Sequence, residues 1–280
     1  MTDTQLRDAL QAADEALQPH SETARLDAQV LLAHILQVPR TWVLIHPEAH
    51  LSAAQSAHLH TALQRLRAGE PLPYVLGEWE FYGRTFHLTP EVLIPRPETE
   101  HLVEAALEWL DAHPAARRLA DVGTGSGCIA VTLAAERPAL QVTALDISAA
   151  VLRVARRNAC RHAAGVRFIQ ADLLAPLAPH ACDLICANLP YIPTATLHGL
   201  EVYGKEPTLA LDGGPDGLDL IRRLLTQAES RLASEGALLL EIEATQGESA
   251  PRAARGIFPN AHVDVLPDLA GRPRLLRVLV

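Results

Sequence analysis

An α/β fold is predicted, with a small helical domain leading through a hairpin into a parallel sheet covered by helices. Three observations carry this prediction. Residues 1–72 keep helical apolar spacing, an aromatic and β-branched stretch follows, and from residue 119 onward short apolar runs alternate with helical ones. With 280 residues, 49% of them hydrophobic, the chain has enough apolar material for one large core and a smaller one.

In the first segment Leu6, Leu10, Ala13 and Leu17 share one helical face, and Leu59, Leu63 and Leu66 share another. Ser52 and Gln55 have capping-box spacing at the start of the later helix, and Gly69, Pro71 and Pro73 interrupt the pattern after it. The expected first domain is therefore 1–72. Residues 73–95 form the expected linker, in which Trp79, Phe81, Tyr82, Phe86 and Val92 surround a break at Gly83-Arg84 that reads as a hairpin.

The third segment, 96–280, opens with Pro97 at a first helical position. Glu98 and Glu100 there favour the positive end of a helix running to about Ala112. Strands are expected at 119–122, 142–145, 166–169, 184–187 and 237–242. Two more, at 262–266 and 275–280, are separated by a link that permits an antiparallel hairpin and not a crossover.

Composition excludes several classes of function. A net charge of -9 and a pI near 5.8 argue against a broad nucleic-acid footprint. Arg153, Arg156, Arg157 and Arg161 share one helical face, read here as solvated. Cys128, Cys160, Cys182 and Cys186 lack zinc-site spacing and are read as reduced core thiols, so no metal is expected. Met1-Thr2-Asp3-Thr4-Gln5 begins no leader and no run reaches bilayer length, from which a cytoplasmic chain with no membrane partner is expected.

Two segments carry chemistry. Asp121-Val122-Gly123-Thr124-Gly125-Ser126-Gly127 ends the first parallel strand and opens a helix, where a doubly wound fold binds adenosine-containing ligands. Asp146 ends the next strand, at the position of an acidic group that accepts hydrogen bonds from ribose hydroxyls. Gly125-Ser126-Gly127-Cys128-Ile129-Ala130 also fits the nicotinamide-dinucleotide pattern, with alanine in the last place, so the glycines alone leave the ligand open.

Asn188-Leu189-Pro190-Tyr191 follows the fourth strand, beside the same crevice. An amide or exocyclic amine nitrogen is a weak nucleophile because its lone pair is delocalised. Two acceptors, the Asn188 side-chain oxygen and the Leu189 carbonyl, suit the task of turning such a nitrogen toward an electrophilic methyl. Pro190 holds Leu189 extended, and the Tyr191 ring provides a wall for a flat group.

With these residues, and with Leu93-Ile94-Pro95-Arg96-Pro97-Glu98-Thr99-Glu100, Glu206-Pro207, Ala210-Leu211, Gly213-Gly214-Pro215-Asp216-Gly217-Leu218 and Asp268-Leu269-Ala270-Gly271, the chain resembles the HemK/PrmC family nearly end to end. The members of that family are protein-(glutamine-N5) methyltransferases acting on peptide chain release factors. The resemblance implies a seven-stranded, Rossmann-like class I methyltransferase domain that binds S-adenosylmethionine, a helical N-terminal domain that helps hold the release factor, and a hairpin linker. It implies that the acceptor is the glutamine amide of a Gly-Gly-Gln loop, held by Asn188 and Leu189 with Pro190 and Tyr191. Cofactor contacts carry over onto Asp121, Gly123, Thr124, Gly125, Ser126, Gly127, Asp146, Ile147, Asp172, Leu173 and Asn188.

Two positions depart from the family pattern. Leu189 stands where a second proline is usual, which keeps the carbonyl, and Leu173 stands where an aromatic residue often meets the adenine, so an apolar contact replaces stacking. Asn-Leu-Pro-Tyr also resembles the tetrad of ribosomal RNA adenine dimethyltransferases, making adenine N6-methylation the competing enzymatic reading; a nucleotide-binding module without turnover is the non-enzymatic one. The expected partner is a release factor, with no direct nucleic-acid partner, and the expected state is a monomer. The segment 95–100 is expected to border the cofactor or substrate, because a helix start does not by itself explain Arg96.

Overall fold

The computed structural model describes residues 4–280, and Met1-Thr2-Asp3, on which part of the N-terminal reading rests, lie outside the described residues. The chain divides into two compact units between Glu78 and Trp79.

In the first unit β1 (Thr4–Gln5) precedes α1 (Leu6–Leu17), α2 (Ala24–Leu36) and α3 (Arg40–Ile45). Then come β2 (His50–Leu51), which pairs antiparallel with β1, α4 (Ala53–Arg67) and α5 (Leu72–Leu76). The predicted stripe of Leu6, Leu10, Ala13 and Leu17 is buried against Leu31, Leu32, Ile35 and Leu59. Leu66 is buried with them and Leu63 partly so. Ser52 and Gln55 form the expected capping box: the Gln55 N–H donates to Ser52 Oγ at 3.3 Å, and the Ser52 N–H donates to Gln55 Oε1 at 2.9 Å. Arg65 ties α4 to α5 by donating to the Glu70 carboxylate and to the carbonyls of Tyr74 and Val75.

The predicted hairpin is present as β3 (Glu78–Phe81) and β4 (Arg84–His87). Its turn is Tyr82-Gly83, both left-handed at φ 51° and 67°, which matches the twist of the paired strands. Phe81 and Phe86 meet edge-on at 6.1 Å and are buried with α6 (Glu98–Ala112). Pro97 is the residue preceding this helix and not its first turn; Glu100 Oε1 accepts the Tyr82 N–H at 2.8 Å, so that acidic residue anchors the hairpin as well as the helix start.

The chain continues through β5 (Arg118–Val122), α7 (Cys128–Glu136), β6 (Gln141–Asp146), α8 (Ala149–Arg161), β7 (Val166–Gln170), β8 (Cys182–Ala187), α9 (Thr194–Leu197) and α10 (Asp219–Arg231). It ends with β9 (Leu232–Glu241), α11 (Ser249–Ile257), β10 (His262–Pro267) and β11 (Pro273–Leu279). The seven-stranded sheet has the order β10-β11-β9-β8-β5-β6-β7, parallel from β9 to β7, with β11 antiparallel to both β9 and β10. This is the Rossmann-like α/β architecture the sequence predicts.

Side-chain alternation separates the sheet's two faces. Ala120, Val122, Ile185, Ala187, Leu238 and Leu240 face the α10 and α11 side, packed against Ile221, Leu224, Leu225 and Ala254. Leu119, Leu184, Cys186 and Leu239 face the other side, against Leu102, Ala106, Ile129 and Leu133. Strand β9 begins five residues earlier than its apolar run suggests, because its first half contains exposed Ser234 and Glu235, the latter left-handed at φ 63°. Cys128, Cys182 and Cys186 are buried, but Cys160 is exposed and so is not a core thiol. The buried stripe of α8 runs through Leu152, Ala155 and Ala159, and position 160 falls beside it.

Candidate active site

The chain runs β5, β6, β7 outward in one direction and then returns to β8 and β9 on the other side of β5. The carboxyl ends of β5 and β8 therefore flank the topological switch point, where ligands of open α/β sheets bind. A cavity of about 310 Å³ opens there, within the range of small-molecule sites.

The backbone of the glycine loop forms one wall. Gly123, Thr124, Gly125 and Ser126 line the cavity, with Gly123, Gly125 and Gly127 all at positive φ. Asp121 is fully buried and does not line it; its Oδ2 accepts from Thr124 Oγ1 at 2.6 Å and from the Ala130 N–H at 3.2 Å, so it binds the loop to the start of α7. Burial pushes its carboxyl up to about 7. Gly127 stands outside the lining, where its φ of 83° disfavours a side chain and an ideal Cβ would be 3.2 Å from that of Ala155, a tight contact. Asn158 secures the loop from the far side by donating to Ser126 O at 2.8 Å and to His87 O at 3.0 Å. A polar residue on the buried face of a helix was the sequence signal for Asn158, and the sequence reading passed over it.

The carboxyl ends of β6 and β7 supply the second wall. Asp146 lines the cavity, with its oxygens accepting the N–H groups of Ser148 at 2.9 Å and Gly125 at 3.2 Å. Burial raises its carboxyl despite these bonds. Ile147 is 54% exposed and also lines the cavity, which makes it an apolar surface open to a ligand. Asp172 and Leu173 complete this side, with Asp172 paired to Arg223 at 2.5 Å and Leu173 left-handed at φ 53°.

Asn188, Leu189 and Pro190 form the opposite wall. Asn188 Nδ2 donates to Thr99 Oγ1 at 2.9 Å, and Thr99 Oγ1 donates to Glu241 Oε2 at 2.7 Å. Tyr191 is behind the lining, with its hydroxyl donating to Glu241 Oε1 at 3.2 Å. Burial, with the Glu241 charge beside it, raises that phenol well above its ordinary value. Leu189 is buried and packs directly over Gly123, where an ideal Cβ would be 2.8 Å from Leu189 Cδ2.

The motifs left without roles in the sequence acquire them here. Arg96 pairs with the buried carboxylate of Glu206 at 2.5 Å, and Glu206 also accepts the Ile94 N–H at 3.0 Å. This joins Pro95 and Arg96 on one side of the cavity to Pro207 and Leu209 on the other, and it answers the question of why an arginine stands in that segment. The turn from Gly213 to Leu218 braces the tetrad from behind. An ideal Cβ on Gly213 would be 2.8 Å from Pro190 O, one on Gly217 would collide with Tyr191 O, and Gln246 Nε2 donates to both Tyr191 O and Gly217 O at 3.0 and 3.1 Å. Asp268 accepts from the Ala270 and Arg272 N–H groups and pairs with Arg274, forming the turn between β10 and β11.

Among the described residues no cluster of three metal-ligating side chains occurs, and no helix is long and apolar enough to cross a membrane. The four arginines of α8 are on its surface; Arg157 meets His87 and Arg156 covers Phe168.

Known proteins are similar to this chain in sequence and in fold. Residues 8–77 match the family model of the PrmC N-terminal domain, and residues 101–198 that of the methyltransferase small domain. Solved structures show a likeness of fold: a methyltransferase from Pyrococcus furiosus has a TM-score of 0.50 at 16% identity, covering 81% of this chain and 98% of its own. The hMettl16 catalytic domain has 0.52 at 15%, covering 81% of each. A release factor glutamine methyltransferase of Moorella thermoacetica is 46% identical over 256 residues, 90% of each chain. Another, of Koribacter versatilis, is 42% identical over 275 residues, 95% of this chain and 96% of its own. At that identity over nearly the whole length, the chain belongs to the family of release factor glutamine methyltransferases.

Proposed function

We propose that this chain transfers a methyl group from S-adenosylmethionine to the side-chain amide nitrogen of the glutamine in the Gly-Gly-Gln motif of a peptide chain release factor. The observation that supports this most directly is the fixed amide of Asn188. Its nitrogen is taken up by Thr99 at 2.9 Å, which leaves the side-chain oxygen on the other arm of the amide to accept from an incoming N–H.

The cavity fits S-adenosylmethionine on the chemistry of its lining. Asp146 and Asp172 are acceptors for hydroxyls and for a cationic amine, the loop from Gly123 to Ser126 offers backbone to a close-lying ligand, and Ile147, Leu173 and Val151 suit a flat apolar base. Bound there, the cofactor supplies an electrophilic sulfonium methyl. We place Gly123, Thr124, Gly125, Ser126, Asp146, Ile147, Asp172, Leu173 and Asn188 around it, with Asp121 and Gly127 supporting the loop.

The protein's own contribution to catalysis is positioning. The Asn188 oxygen and the Leu189 carbonyl each accept one N–H of the glutamine amide, turning the nitrogen lone pair out of conjugation and toward the methyl. Both acceptors would then stabilise the positive charge that grows on nitrogen as the N–C bond forms and the donor's S–C bond breaks with its pair staying on sulfur, after which one amide proton would leave to solvent. Pro190 keeps the Leu189 carbonyl extended, and Tyr191, behind the lining and not a wall of it, steadies the tetrad through its bond to Glu241. We infer that the helical unit, 1–72, helps hold the release factor, with 73–95 as its linker to the 96–280 methyltransferase domain. We place the reaction in the cytoplasm, where translation terminates, and take the acting unit to be a single copy of the chain.

Incubation of the full chain with a release factor and S-adenosylmethionine tests the reading. Mass spectrometry of the Gly-Gly-Gln peptide is expected to show one added methyl on the glutamine. A peptide left unmodified while RNA in the same mixture gains methyl groups would replace this reading with the adenine one.

A further inference from the structure

We propose that Glu241, acting through Thr99, is the positioning residue that decides which end of the Asn188 amide faces the acceptor nitrogen. The proposal rests on the glutamine reading above and extends it from the residues that touch the acceptor to those that orient them.

The argument follows the protons. An amide side chain has nearly the same shape after a half-turn about its last bond, so packing alone barely distinguishes its oxygen from its nitrogen. Only hydrogen bonding can. Thr99 is 2% exposed and Glu241 1%, so solvent competes little for either.

The Thr99 hydroxyl has a single proton, and it goes to Glu241 Oε2 at 2.7 Å. With its proton committed, Thr99 Oγ1 toward Asn188 can only accept. The atom 2.9 Å away must then be the Asn188 nitrogen, and the oxygen must point elsewhere. A carboxylate one hydrogen bond beyond the Thr99–Asn188 contact thus fixes the polarity of the group that grips the substrate. In the reverse orientation the Asn188 NH₂ would confront the NH₂ of the glutamine, donor against donor.

Glu241 is itself held. Tyr191 donates to its other oxygen at 3.2 Å, which ties the fourth residue of the tetrad into the same chain of bonds. Burial raises its carboxyl, and the Thr99 hydroxyl, the Arg274 charge and the Tyr191 hydroxyl oppose that rise. Its place at the last residue of β9, next to β8 in the sheet, aligns it with the strand from which the tetrad springs.

The test compares Glu241→Gln, Thr99→Val and Thr99→Ser in the full chain with a release factor as acceptor. The Gln variant places an NH₂ where Thr99 can accept from it, freeing the threonine proton to turn toward Asn188 and the amide to reverse. The Val variant removes the relay atom, and the Ser variant keeps it. Glu241→Gln and Thr99→Val are expected to lower kcat about tenfold to a hundredfold, as misplacement of an orienting group does, with the cofactor Kd within about threefold of wild type; Thr99→Ser is expected to recover most of the loss.

Wild-type transfer is scored first. If the wild type leaves the glutamine unmethylated, the underlying reading falls and the relay with it. If the wild type turns over and a folded Glu241→Gln or Thr99→Val matches it in kcat, or Thr99→Ser is as slow as Thr99→Val, the relay alone is overturned. The threonine pair keeps the test decisive even if Glu241→Gln does not fold.

Discussion

The two halves of the cavity are made in opposite ways. The glycine-loop side presents backbone, lets three residues adopt left-handed conformations, and is fastened from behind by the buried side chains of Asp121 and Asn158. The tetrad side presents one amide and one carbonyl, and has close support on every flank: Thr99 and Glu241 hold the side chains, Gln246 and the turn at Gly213–Gly217 hold the backbone, and Leu189 is pressed over Gly123. A surface that binds a whole cofactor spreads its contacts and tolerates small errors. A surface that must turn one lone pair cannot, because a displacement of about 1 Å there costs on the order of a hundredfold in rate.

That contrast breaks if the two sides fail to separate kinetically. Asn188→Ala is expected to lower kcat by about a hundredfold or more while cofactor affinity changes much less. Asp146→Asn is expected to weaken cofactor binding about tenfold, the range of a hydrogen bond to a charged group, and to leave kcat at saturating cofactor nearly unchanged. Single-turnover rates and direct cofactor titration read both, and two variants with the same profile would remove the distinction.

Support on the tetrad side can be probed without touching a reacting residue. Gly217 has φ 76° and a Cβ placed on it would collide with the Tyr191 carbonyl. Gly217→Ala is therefore expected to cost about 1–3 kcal/mol, to lower Tm by several degrees, and to slow turnover of the folded enzyme. A variant with wild-type Tm and kcat would show that the turn does not brace the tetrad.

The loop side makes a prediction about pH. Buried Asp121 titrates near 7 in the folded chain against an ordinary value of 3.8, so the folded state binds its proton more tightly than the unfolded state. The stability this contributes is complete below about 3.8 and is lost as pH rises toward 7. Asp121→Asn cannot lose a proton and is expected to show a smaller decline in urea midpoint across that interval; parallel curves for the two proteins would refute the assignment. The smallest effect is expected at Leu189→Pro, which keeps the carbonyl but gives up the contact over Gly123: activity falls less than tenfold, by steady-state assay, and stability by about 1 kcal/mol.

Much of this was legible in the sequence, because it rests on local rules. Helical stripes, the capping box, the Gly83 turn, the alternation of apolar runs and the ends of the strands carrying Asp146 and Asn188 all follow from spacing within a few residues. The parts that stayed silent are the ones made by distant partners. The sequence places Arg96 only near the cofactor or substrate, because its partner Glu206 is 110 positions away, and the turn from Gly213 to Leu218 carries a resemblance without a role until its backbone meets that of Pro190 and Tyr191. Glu241 did carry a signal: an acidic residue at the end of an apolar strand, whose charge inside a core demands partners. What the sequence could not supply was their identity, because Thr99 is separated from Glu241 by 142 positions.

That separation has a consequence for the order in which the enzyme comes into being. During synthesis the glycine loop and its three supporting strands emerge early and contain nearly everything the cofactor side requires. The bond from Thr99 to Glu241 cannot close until β9 has left the ribosome. The orientation of the acceptor site therefore depends on two ends of the domain made far apart in time, and it cannot be completed before β9 is available.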